Sequence, residues 1–63
     1  MDAPTAELSS LATALDELTG RVTRIADELT GTEHDLMAGE LFEVERALGA
    51  AQRRLARLLE RTA

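Results

Sequence analysis

The sequence predicts an all-α fold, an antiparallel two-helix hairpin of coiled-coil type that dimerises into a four-helix bundle. Three observations carry that prediction. Seven apolar residues (Leu8, Leu11, Leu15, Leu18, Val22, Ile25 and Leu29) recur at alternating steps of three and four, and seven more (Met37, Leu41, Val44, Leu48, Ala51, Leu55 and Leu58) do so later in the chain. Both sets have the spacing of heptad a and d positions. Between them stands a single reversal signal, Thr30-Gly31-Thr32. Finally, 63 residues without a cysteine make one domain that two helices cannot close into a core, and association is the remaining source of burial.

The first helix is expected over about residues 4 to 30. Asp2 is placed to cap its orphan amides, and Pro4 is tolerated because a first-turn residue gives up no intrahelical bond. Gly31 is suited to the left-handed conformation that ends a helix, so the turn is expected at 31 and 32. Thr32, with Asp35 three residues on, resembles a capping box that starts the second helix at about Glu33. That helix runs free of proline to about Arg61. One continuous helix is the competing arrangement, but the first frame carried past Leu29 puts Thr32, Leu36, Gly39 and Glu43 in the seam. A chain reversal restores seven apolar layers, and residues 1–63 are read as a single helical-hairpin domain.

With Leu8 and Leu41 lettered a, the antiparallel register sets Ile25 against Met37, Val22 against Leu41, Leu18 against Val44, and Leu15 against Leu48. Leu11 with Ala51 and Leu8 with Leu55 complete the seam. One flank, the g positions, offers Glu7 to Arg54, Ala14 to Ala47 and Arg21 to Glu40, closing the hairpin with opposite charges. The e flank offers Thr5 to Leu59, Ala12 to Gln52, Thr19 to Glu45 and Ala26 to Ala38, and is small and nearly uncharged. Beyond it lie the b positions Phe42, Gly49 and Ala56. Ala12, Thr19, Ala26, Phe42, Gly49, Ala56 and Leu59 are accordingly expected to form the dimer interface, with Gly49 admitting a neighbouring helix. Gly20 and Gly39 fall at outward f positions, where the sequence supplies no reason for them.

Few side chains are left for chemistry. His34 is the one histidine, and the positions three and four residues after it, where a zinc or di-iron set needs further ligands, are Met37 and Ala38. Asp16-Glu17, Asp27-Glu28 and the group Glu40, Glu43 and Glu45 point mostly outward, so no carboxylate pair shares a shielded pocket. Ser9 and Ser10 have no partner base. The reading is of a chain that is not an enzyme and holds neither cofactor nor metal.

A net charge of −5 with Phe42 as sole aromatic speaks against nucleic acid. No apolar run approaches a membrane span and no signal peptide precedes the first helix, so a cytoplasmic protein is expected. All seven basic residues are Arg, which points to a GC-rich bacterial genome. Arg46, Arg53 and Arg57 lie on outward f and c positions with few acids nearby, a possible docking site for an acidic segment or phosphate of a partner. The functional expectation is a homodimeric interaction module that acts as a small regulator or adaptor and binds another protein. A sensor that clamps a nucleotide-like anion between Arg side chains, or a purely structural oligomerisation segment, are the alternatives. Heptads recur in many unrelated proteins and transfer no function by themselves.

Overall fold

A computed structural model describes residues 4–62 and contains two helices, α1 over Thr5–Leu29 and α2 over Asp35–Thr62. Pro4 stands at the N-cap of α1 with φ −74°, and its carbonyl accepts the Leu8 N–H at 3.0 Å. Its missing amide therefore removes no helical bond. No side chain caps this end among the described residues, and Asp2 lies outside them.

At the other end of α1 the chain makes a type II β-turn over Leu29–Thr32. Thr30 has φ −63° and ψ 130°, Gly31 has φ 79°, and the Thr32 N–H donates to the Leu29 carbonyl at 3.2 Å. A type II turn needs positive φ at its third residue, and glycine supplies it without steric cost. The Thr32 hydroxyl donates to the same Leu29 carbonyl at 2.6 Å and accepts the His34 N–H at 3.1 Å. A second turn follows, with the Asp35 N–H on the Thr32 carbonyl at 3.1 Å, and it uses up residues that the sequence assigned to the helix. Hence α2 starts at Asp35 and not at Glu33. The Asp35 carboxylate does reach back to an orphan amide, as a capping box requires, but the amide is that of Gly31, at 2.7 Å.

The helices pack antiparallel into a rod of 52 × 15 × 13 Å with a radius of gyration of 14.8 Å. A compact chain of this length would have about 11 Å. Contact between the helices is closest where the side chains are smallest: Ala26 and Ala38 are 0% and 2% exposed, and no other described residue is buried as fully. Around them most half-buried residues fall on two heptad positions, with Thr23, Phe42 and Gly49 at b beside them. Leu8, Leu15, Val22, Leu29, Leu41, Leu48 and Leu55 are a residues; Thr5, Ala12, Thr19, Glu45, Gln52 and Leu59 are e residues.

The expected a/d seam is thus rotated by about 50° into an a/e seam. Leu18 and Val44, which were to face each other, are 46% and 45% exposed, and Leu11, Ile25, Met37 and Leu58 are exposed with them. Two helices can turn only one arc toward each other, so the a residues must share the contact with either d or e. Alanine at positions 12, 26 and 38 lets the backbones approach on the e side, whereas Leu, Ile, Met and Val on the d side would hold them apart. Polar bonds between the helices, described below, add to the same choice.

Candidate interaction surface

The rotation gives the rod two unlike long sides. On the side toward e and b, polar side chains reach across between the helices. The Gln52 amide donates to Asp16 Oδ1 at 3.1 Å, and its carbonyl oxygen lies 2.9 Å from the Thr19 hydroxyl. One turn nearer the loop the Thr23 hydroxyl meets the Glu45 carboxylate. Every one of these α2 side chains leans toward the turn, because side chains tilt toward the N-terminus of their own helix. Gln52 therefore reaches past Ala12, which it faces, to Asp16 and Thr19, and Glu45 reaches past Thr19 to Thr23. These bonds close the seam from this side.

That closure takes up most of the residues expected at the dimer interface. Ala26 is buried in the hairpin, and Ala12, Thr19 and Leu59 are half-buried in its seam. Phe42 and Gly49 are half-buried beside it, and Ala56 alone of the seven residues is exposed. Gly49 is not an opening for another helix: the Arg53 guanidinium folds back over it, with Nη1 3.5 Å from where a Cβ would stand. A small groove of about 300 Å³ lined by Ala12, Gln52, Arg53 and Ala56 is what remains there.

The opposite side is apolar. Antiparallel helices set e against e and g against g, so the d residues of α1 and α2 emerge on the same side of the rod. Leu11, Leu18 and Ile25 stand along α1, and Met37 and Val44 along α2, all exposed. The a leucines fill the channel between the two rows, and Glu7, Ala14, Arg21, Glu40, Ala47 and Arg54 edge them at the exposed g positions. At the end away from the turn the face widens into an open groove of about 680 Å³ lined by Arg54, Arg57, Leu58, Glu60 and Arg61. The charged g pairs expected to clasp the hairpin are not made, since the side chains that carry them stand on opposite outer edges. Among the described residues, Arg46 pairs with Glu43, and His34 lies beside Glu33, an ion pair only when the ring is protonated, both at 3.5 Å.

The three arginines singled out by the sequence do not converge. Arg46 is held by Glu43, Arg53 borders the smaller groove and Arg57 the larger. His34 is exposed in the turn. Among the described residues no three His or carboxylate side chains gather in a way that would hold a metal ion, and no helix is long and apolar enough to cross a membrane. Leu36 is 90% exposed on the outer side of α2, away from the apolar face, and nothing in the structure explains it.

The sequence missed the apolar face because it placed the same residues inside. The 3,4 pattern is identical for a seam shared by two helices and for the axis of a four-helix bundle. The small residues at e were the available sign that the hairpin closes on that side. No family model, curated protein or solved structure matches the chain, so its function is read from this surface alone.

Proposed function

We propose that the chain is a non-enzymatic protein–protein interaction module, a homodimeric helical hairpin serving as a small regulator or adaptor, and that it associates through the d face. The carrying observation is that face: two rows of large apolar side chains, left in water along the rod by a hairpin that closes elsewhere. Each is about half exposed and so forgoes on the order of 1 kcal/mol of burial. Contiguous apolar surfaces rimmed by polar residues mark interaction sites.

The surface area supports the same reading. The chain exposes 4972 Å², whereas a compact monomer of 6.8 kDa exposes about 4,000 Å². The excess of about 1,000 Å² matches what one partner contributes to a stable interface, about 800 Å². Two hairpins stacked on their d faces bring every a and d residue to a common axis, which makes a four-helix bundle. The back of α2, with Arg46, Arg53 and Arg57, stays open to a second protein.

Sedimentation equilibrium of the wild-type chain at micromolar concentration tests the proposal. The expected species has twice the 6.8 kDa chain mass. A monomer throughout the range overturns it.

A further inference from the structure

We infer that the two copies lie with their turns at the same end, so that α1 of each hairpin packs along α2 of the other. The inference rests on self-association through the d face and specifies how that face is met. In such a bundle the a and d side chains point at the axis, e lies between helices of one chain, and g lies between helices of different chains. The g positions carry charges that the hairpin leaves unused.

The α1 edge of the face carries Glu7, Ala14, Arg21 and Glu28, and the α2 edge carries Glu40, Ala47, Arg54 and Arg61. All are exposed, and none belongs to either ion pair found among the described residues. When the turns lie together the two-fold axis runs along the helices, and residues at similar distances from the turn meet. Counted from Thr32, Glu7 and Arg54 are 25 and 22 residues away, Ala14 and Ala47 18 and 15, and Arg21 and Glu40 11 and 8. Each pair is offset by about 4.5 Å of helical rise, within the reach of an arginine. Both charged pairs are of opposite sign and symmetry doubles them, while the alanines meet midway, where they let the helices approach. Glu28 faces Glu33 in the solvated turn of the second copy, the one approach of like charges along these edges.

Turns at opposite ends give a different result, because α1 then lies on α1 and α2 on α2. Glu40 still meets Arg54, and Glu33 of the turn meets Arg61, but within the helices Glu7 meets Glu28 and Arg21 meets Ala14. Among residues of the helices themselves, half of the complementary pairs are lost and a like-charged pair replaces them. Charge complementarity sets orientation and register more than affinity, and orientation is what separates these two dimers.

The chain has no cysteine, so Glu33→Cys in the exposed turn takes a single spin label, and pulsed dipolar EPR on the dimer reads the distance between turns. Turns at the same end predict about 25 Å or less, from helix spacings of 8–10 Å plus the label arms. A distance near 45 Å, thirty residues of rise, overturns the arrangement and leaves self-association standing. No dipolar signal together with a monomer mass overturns self-association itself. Glu7→Arg gives an independent sign. It sets Arg against Arg54 in the arrangement inferred here and raises the dimer dissociation constant about fivefold, and adding Arg54→Glu to the same chain restores it. Tighter association of Glu7→Arg alone, through relief of the Glu7 to Glu28 contact, overturns the inference.

Discussion

Glycine does two different jobs in this chain, and the structure separates them residue by residue. Gly31 holds φ 79° at the one position where the type II turn requires it, and an alanine there would be strained. At Gly20 and Gly39 an added Cβ meets nothing within 4 Å, and at Gly49 it meets only the Arg53 guanidinium at ordinary contact distance. Urea unfolding is therefore expected to show Gly31→Ala losing about 1 kcal/mol. Gly20→Ala, Gly39→Ala and Gly49→Ala should each gain up to about 1 kcal/mol through helix propensity. Destabilisation by Gly49→Ala would instead restore the helix docking lane that the sequence suggested on that side. The turn residue was legible because only one conformation explains Gly-Thr after an apolar run. The positions of Gln52 and Glu45 were not, since their value depends on partners one or two helical turns away from the residues they face.

At the scale of the elements, both helices were legible from heptad spacing, Pro4 and Gly31, with α2 starting two residues late because a second turn closes from the Asp35 N–H to the Thr32 carbonyl. Rotation about the helix axes was not legible. Periodicity fixes which residues share a stripe, but the angle at which two stripes meet depends on side-chain size at the flanks. Ala26 and Ala38 decide that angle here, being the most buried residues described. Ala38→Leu should therefore overpack the closest approach and cost about 1–3 kcal/mol in urea unfolding. The same substitution at exposed Ala50, on the outer side of α2, should be nearly neutral. Equal effects at both positions would mean that the helices do not close on the e flank.

The whole molecule is a rod too thin to have an inside of its own. Its apolar a residues are only half-buried, its d residues are exposed, and its surface is about a quarter larger than a compact chain of its mass would show. Four helices around one axis would bury both rows at once, so the heptads fit the proposed bundle better than they fit the hairpin alone. Chain length by itself calls for association, and the dimer is proposed on that ground together with the d face. The face assigned to it moved to the other side of the rod, where the structure leaves apolar surface uncovered. Leu18 and Ala56 mark the two sides, both exposed and neither needed to close the hairpin. Sedimentation equilibrium of Leu18→Glu beside Ala56→Glu tests the choice most directly. Association through the d face predicts that Leu18→Glu, which places two charges in the bundle, weakens the dimer by about a thousandfold, while Ala56→Glu sediments as the wild type. A dimer that survives Leu18→Glu and dissociates with Ala56→Glu would contradict the account.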